Sequence, residues 1–467
     1  MQKFILLTPM NYLTERHYIS QIVFKEFLGL NIYLSEEERV DWCLIDRERK
    51  ARLFLPDNFF RIASLAWLKK ESLPSLPLPA WSAAHELPEV SLVEPKIPVI
   101  YGEPVKDGSW FQMEDERTAR LGVDVLGSAF FMLTRYEELV VTDLDEHGRF
   151  PGCASSASKA GFLERPIIDE YVELLWAAMK KLWPGIERRK WIFRICPTHD
   201  VDNPFAHQQL GRLGSFRASV GDLVKRRDPV IALRRAASVV APGPIQDTLD
   251  PNNTFEWIMN VNERYGLRSA FYFLAGGMPP YGPAYSLDEP RMRSLVKKID
   301  SRGHEIGLHG SYDAMDDMAC FTEEHQKLVS VLQEEDIHLK ELGGRQHYLR
   351  WSAASTWRVW ATAGLDYDSS LGYADLPGFR SGTAREYPVF DLLKSERLHL
   401  RERPLIFMEC SLISDKYCGL KDEAALSKIR YLVEATRRVN GTFTFLWHNS
   451  FLQRASLRRI YQLCLEA

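Results

Sequence analysis

The sequence lacks any long apolar run. None of its 467 residues belongs to a stretch approaching the 18 or so apolar residues that a bilayer-spanning helix needs. The N-terminus, MQKFILLTP, offers only four, Phe4 to Leu7, before Thr8 and Pro9, too few for a signal-peptide core. The expectation is a cytoplasmic protein. Charge of one sign is also missing. Lys and Arg number 59 against 63 Asp and Glu, a net charge of −4, so no global basic field exists to hold nucleic acid. No Cys-x-x-Cys spacing occurs, and the seven cysteines (Cys43, Cys153, Cys196, Cys320, Cys410, Cys418 and Cys464) are odd in number and scattered. That pattern favours reduced, mostly buried thiols over a disulfide frame or a zinc knuckle. There is no repeat or low-complexity tract. What remains is an ordinary globular balance, 45% hydrophobic and 26% charged, over a length suited to about two to four domains.

Pro and Ser cluster at 72–82 (SLPSLPLPAWS), and the basic, Trp-flanked stretch Lys180 to Trp191 precedes a very apolar segment. A boundary near 190 is therefore expected, with residues 1–190 forming a smaller α+β domain that carries no nameable catalytic pattern. Residues 191–467 change character, alternating apolar strands with amphipathic helices. The strands read as Trp191 to Cys196, Ser269 to Leu274, His304 to Leu308, Leu342 to Tyr348, Leu365 to Tyr367, Pro404 to Cys410 and Thr442 to Trp447. Helix signals lie between them: Asn253 before a helix and Gly266 after it, Asp288 with Pro290 before another that Gly303 closes, and Thr322 before a third. Seven strands alternating with helices predict a mainly parallel, distorted (β/α)7-type barrel.

Polar residues gather at the strand ends: CPTHDVDN (196–203), GLHGSYD (307–313), GGRQHY (343–348), DYDSSLGY (366–373) and FLWHNS (445–450). A barrel builds its active site from the carboxyl ends of its strands, so these clusters should meet at one mouth. Extended backbone sends Asp200 and Asp202 to one face and His199 and Val201 to the other. Two carboxylates side by side repel, and a divalent cation relieves the repulsion, although HDVDNP also reads as a plain turn. His309 and Asp313, four apart, could reach one ion if the chain turns helically after its strand; a surface His beside a capping Asp is the plainer alternative. His448 follows the strand TFTFLW, where a lone His is commonly held by packing.

Taken in chain order, THDVD, HGSYD, RQHY, DSSLGY with GFRSGT, and LWH resemble the motifs of the polysaccharide deacetylase (carbohydrate esterase 4, NodB-like) family. The family's motifs are Asp-Asp, His-x-x-x-His, Arg-x-x-Tyr, an Asp/Trp segment and Leu-x-His. The resemblance spans about 191 to 464, and the whole chain is similar to longer bacterial members with an extra N-terminal domain, met among surface-polysaccharide genes. Two departures stand out. Asp-Val-Asp replaces Asp-Asp, a spacing similar to the branch of lipid-A arabinose deformylases, and Asp313 stands where the family has its second metal histidine.

The resemblance implies hydrolytic removal of an acyl group, N-acetyl first, from an amino sugar of a surface-polysaccharide or lipid-linked glycan pathway, a sugar that could be lipid-linked or phosphate-bearing. It implies one divalent ion held by Asp202, His309 and Asp313: zinc first, with Mn²⁺, Fe²⁺, Co²⁺ or Ni²⁺ as alternatives for so hard a ligand set. Asp200 would be the base, Arg345 would hold and orient it, and His448 would protonate the departing amine. The two aspartates could exchange roles. Tyr348 would offer a backbone N–H to the oxyanion, Leu446 would wall the acyl pocket, and Trp351, Tyr373, Phe379 and Arg380 would face the sugar. His347, beside the Arg motif, remains unassigned. A deformylase, a ureide amidohydrolase and an inactive sugar-binding scaffold are the alternatives. The resemblance leaves the oligomeric state open.

One segment stands outside these motifs. Residues 205–241 carry Arg212, Arg217, Lys225, Arg226, Arg227, Arg234 and Arg235 against Asp222 and Asp228, far more chain than a βα loop requires. Apolar Leu223, Val230, Ile231, Leu233, Val239 and Val240 lie among the charges, as in a basic amphipathic helix at an anionic membrane. A solvated insertion packed on the barrel rim is the alternative.

Overall fold

A computed structural model of the chain describes residues 4–466. In its first part, strands β1 Phe4–Thr8, β2 Ile32–Glu36, β3 Trp42–Asp46, β4 Arg52–Leu55, β5 Phe111–Asp115 and β6 Thr118–Leu121 form a mixed sheet in the order β2-β1-β3-β4-β6-β5. The two-residue period of an extended chain separates its faces. Trp42 and Leu44 join the main core, while Cys43 and Ile45 join Leu7 in a small cluster on the other face. Helices α1 Leu13–Ser20, α2 Val125–Leu133 and α3 Ile167–Leu182 accompany the sheet. Helix α2 (VLGSAFFML) is apolar almost all round and is buried all round, as such a helix must be. Its N-terminal N–H groups are satisfied by buried Asp124, which accepts from Gly127 N–H at 2.8 Å.

The second sheet contains β7 Arg194–Val201, β8 Ala270–Leu274, β9 Glu305–Gly310, β10 Gly343–Gln346, β11 Tyr367–Asp368, β12 Tyr387–Asp391, β13 Glu396–Glu402, β14 Phe407–Met408 and β15 Thr442–Leu446. From β7 to β11 each strand pairs in parallel with the next, β11 pairs in parallel with β13, and β15 pairs in parallel with β7 and β14. Strands β13 and β14 belong to one extended run that closes the ring. Arg403 N–H donates to Asp368 O at 2.7 Å and Leu405 N–H to Leu371 O at 3.1 Å on one side, and Ile406 N–H donates to Thr444 O at 3.0 Å on the other. The result is a distorted seven-stave (β/α) barrel preceded by an α+β unit. The antiparallel β12–β13 hairpin is an addition that the sequence reading did not contain. The helix expected to open at Thr322 instead spans Met318–Glu334, because Asp317 caps it, accepting from the N–H groups of Ala319 and Cys320.

Behind β7 the chain makes three helices, α4 Ala206–Val224, α5 Pro229–Val240 and α6 Gly243–Leu249, before the barrel resumes. Among the described residues no helix is long and apolar enough to cross a membrane.

The two sheets share one continuous core, and buried polar contacts lock segment 372–388 of the barrel to α2 and α3. Asp169 accepts from the Thr383 hydroxyl, the Ala384 N–H and the Arg385 guanidinium. Tyr387 donates to Leu133 O and Tyr18 to Pro388 O. Arg380 and Arg135 both pair with Glu138, and all three side chains are at most 3% exposed. Buried charges persist only where paired and hydrogen-bonded, so this junction has little freedom to slide.

Candidate functional site

Strand β7 delivers its alternate residues inward as its period requires. Thr198 and Asp200 both accept hydrogen bonds from Arg345 Nη1 at 2.8 Å. Arg345 is fully buried on β10 and is fixed further by Ser369, whose carbonyl and hydroxyl accept from Nε and Nη2. His199 points the other way. Its Nδ1 lies 2.7 Å from Trp447 O, Tyr461 contacts its Nε2, and Phe271 stacks on it. Burial drives its pKa down to about 3, which leaves it neutral and structural.

His309, at the end of β9, directs Nδ1 at the backbone carbonyl of Arg345, 2.8 Å away. That bond sets the tautomer and leaves Nε2 facing Asp202 Oδ1 at 3.2 Å and Asp200 Oδ2 at 3.6 Å. The third member of this group is His347, whose Nε2 is 3.6 Å from the same Asp202 oxygen. Donor atoms of Asp202, His309 and His347 all lie within 4.8 Å of one another. Both His309 Nε2 and Asp202 Oδ1 are buried without a hydrogen-bond partner. Lone pairs of an imidazole and a carboxylate facing each other in a buried site require a cation between them, a proton or a metal ion. The side chains present therefore fit a divalent ion.

Asp313 does not belong to this group, which corrects the ligand set expected from HGSYD. Beyond Gly310 the chain bends instead of turning as a helix, so the four-residue spacing no longer stacks side chains. Asp313 is exposed, and its carboxylate accepts the Met278 N–H at 3.1 Å. Its place is taken by His347, two residues beyond Arg345 on an extended strand end and hence on the same face. That period was legible in RQHY. Tyr348 and Leu349 then adopt positive φ of 62° and 53°, a left-handed turn costly for such residues, which swings Tyr348 over the mouth, 39% exposed.

His448 follows β15. Its Nδ1 is 2.6 Å from Glu409 Oε1, and its Nε2 faces Asp202 Oδ2 at 3.5 Å. Burial disfavours its charge, but fully buried Glu409 outweighs that effect and lifts the pKa to about 10. Glu409 had no signal in the sequence because it lies on a different element, the first residue of the short helix Glu409–Ile413 directly after β14.

Asp200, Asp202, His309, His347, His448, Tyr348 and Leu446 line one cavity of about 260 Å³. So does Arg149, which arrives from the segment preceding α3. It pairs with Asp145 at 2.7 Å, and its Nη1 donates to Tyr348 O at 2.8 Å, bracing the left-handed turn. Its role had no signal in the sequence, since only the packing of the two sheets brings it to the mouth. Three expected sugar contacts are corrected. Trp351, Tyr373 and Arg380 are 1–2% exposed and absent from the cavity. Arg380 is held by Glu138 and the Gly372 carbonyl, Tyr373 meets Arg135, and Trp351 packs on Trp357. Phe379 is likewise core. Tyr373 and Arg380 thereby join the barrel to the turn that follows α2.

Fold and site together define a closed β/α barrel with a metal-donor group, an Arg-held carboxylate and a carboxylate-held histidine at its mouth. A family of unknown function, DUF7033, matches residues 4–184, the part containing the first sheet. No curated protein matches the chain. Solved structures similar to it include one from Mycobacterium smegmatis bearing the name polysaccharide deacetylase, at 16% identity and a TM-score of 0.39, with 60% of this chain and 84% of that one covered. Others are PuuE allantoinase and a protein of Pseudomonas aeruginosa PAO1 bearing the name polysaccharide deacetylase. Each of these has 12% identity and a TM-score of 0.35, with 59% of this chain and 83% of the other covered.

Proposed function

We propose that the chain is a metal-dependent hydrolase that removes an acyl group, acetyl first, from the nitrogen of an amino sugar belonging to a surface polysaccharide or lipid-linked glycan. The observation that carries this reading is the meeting, in one cavity of about 260 Å³, of Asp200, held from behind by Arg345, the Asp202/His309/His347 group and His448, held from behind by Glu409. Asp202, His309 and His347 would hold the ion, and an Asp-His-His set suits zinc. When bound, the ion supplies Lewis-acid polarisation of the acyl carbonyl and acidification of water.

The remaining chemistry belongs to the side chains. Asp200, kept in place by Arg345, accepts a proton from the water as the water's oxygen bonds to the acyl carbon. His448 presents Nε2 to the cavity while Glu409 holds Nδ1, and it gives a proton to the nitrogen as the C–N bond breaks, releasing carboxylic acid and amine. Leu446 forms an apolar wall beside the acyl group, a surface that separates formyl from acetyl only weakly. The test is metal analysis of the purified chain together with release of acetate and formate from N-acyl amino sugars. The reading expects about one bound divalent ion per chain, loss of that ion and of acyl release on chelation, and return of both on adding Zn²⁺. A metal-free protein that retains full activity would overturn it.

A further inference from the structure

The helical insertion behind β7 is folded inside out. On α4, which is broken at Gly211 (φ 63°, ψ 178°), Ser215, Ser219 and Asp222 are buried, whereas Leu213, Phe216, Val220, Leu223 and Val224 are exposed. Their successive spacings of three, four, three and one residues put them on one face of a 3.6-residue helix. Helix α5 buries Arg235 and Ser238 beside Ile231 and Ala232, yet leaves Val230, Leu233 and Val240 66%, 72% and 82% exposed. The two helices hold together through polar contacts: Asp222 pairs with Arg235 at 2.7 Å, and the Ser219 hydroxyl donates to Ala232 O at 2.6 Å. Burying polar pairs and leaving eight aliphatic or aromatic side chains in water is the reverse of what a solvated hairpin gains from burial. A patch of this kind marks a surface that something else covers.

The charges around the patch specify the cover. Arg226 and Arg235 are engaged by Asp222, but Arg212, Arg217, Lys225 and Arg227 are exposed and form no ion pair among the described residues. Four free cations flank the apolar face, in a chain whose net charge is −4. We propose that the α4–α5 hairpin is a docking surface for the anionic face of a lipid bilayer, with Leu213, Phe216, Leu223 and Leu233 entering the interface and the four cations meeting lipid phosphates.

Its position gives the docking a consequence. A groove of about 350 Å³ lined by Leu210, Arg226 and Arg454 shares Asn203, Ser450 and Phe451 with the catalytic cavity. The docked hairpin therefore places the barrel mouth beside the headgroup layer. The docking rests on exposure and charge alone and stands whether or not the cavity hydrolyses an acyl group.

The experiment is co-sedimentation of the full chain with vesicles of phosphatidylcholine alone and of phosphatidylcholine mixed with phosphatidylglycerol. Binding is expected to the mixed vesicles only, and to weaken as salt screens the charges. Leu213→Ser, Phe216→Ser and Leu223→Ser combined should weaken it at least about tenfold. Replacing Arg212, Arg217, Lys225 and Arg227 by Gln should weaken it about fivefold per charge. Because all seven side chains are exposed, the unfolding midpoint should hold in both variants, which separates lost docking from lost folding. No binding to anionic vesicles, or binding unchanged in both variants, overturns the proposal. Self-association abolished by the apolar substitutions, without vesicle binding, assigns the face to a second copy; capture of an acidic protein without vesicle binding assigns it to that partner.

Discussion

The ends of β9 and β10 lie side by side, and they treat their polar residues oppositely. After His309 the chain bends away, so Asp313 faces solvent and the Met278 backbone. After Arg345 the chain stays extended through Gln346, so His347 faces the same interior as the arginine and comes within 3.6 Å of Asp202. A two-residue spacing on a strand is fixed by pleat geometry, whereas a four-residue spacing carries meaning only once a helix has formed. The strand spacing transfers directly to three dimensions, and the helical one depends on a turn that the chain never makes.

The sharpest test of this contrast is metal content. His309→Ala and His347→Ala should each lower affinity for Zn²⁺ by more than about 100-fold, beyond the usual effect of altering a ligand's hydrogen-bond partner, whereas Asp313→Ala should leave it unchanged. Equilibrium dialysis after chelation reads all three, and a large loss in Asp313→Ala alone would reverse the assignment. His448→Ala separates acid from ligand: bound metal should persist while turnover falls by about 10² to 10⁴-fold, measured in single-turnover acyl release.

The next test sets the mouth against the junction. Arg380→Ala leaves Glu138 with one of its two buried partners and should cost about 3–5 kcal/mol in denaturant unfolding, with KM unmoved in the folded fraction. Tyr348→Ala should do the reverse, raising KM up to about tenfold, the scale of one aromatic contact, while stability changes little because the ring is 39% exposed. A KM effect for Arg380 without loss of stability would return that residue to the substrate.

Much of the barrel half was legible. The seven strands expected from apolar runs correspond to the staves of the barrel, since a strand buried on both faces has to be apolar along its length. Asp200, Asp202, His309, Arg345, Tyr348, Leu446 and His448 meet at one mouth because each sits at the carboxyl end of a stave. Less legible was segment 371–388. DSSLGY and GFRSGT carry the aromatic and basic residues expected of a sugar site, yet their side chains face α2 and α3. A loop's composition states what it can contact, and its direction depends on what packs against it. Arg149 and Glu409 illustrate the same limit, since each acts on a partner that another element supplies.

By itself, then, the sequence determined the strand alternation, the inward period of β7 and β10, and the basic, apolar character of the insertion, because these follow from local geometry and composition. Only the tertiary structure decided that His347 and not Asp313 joins Asp202 and His309, that Glu409 backs His448, that Arg149 braces the mouth and that α4 leaves an apolar face outward. Each of these depends on which surfaces meet after folding, and a contact between residues 199 positions apart, as between Arg149 and Tyr348, leaves no periodic trace in the chain.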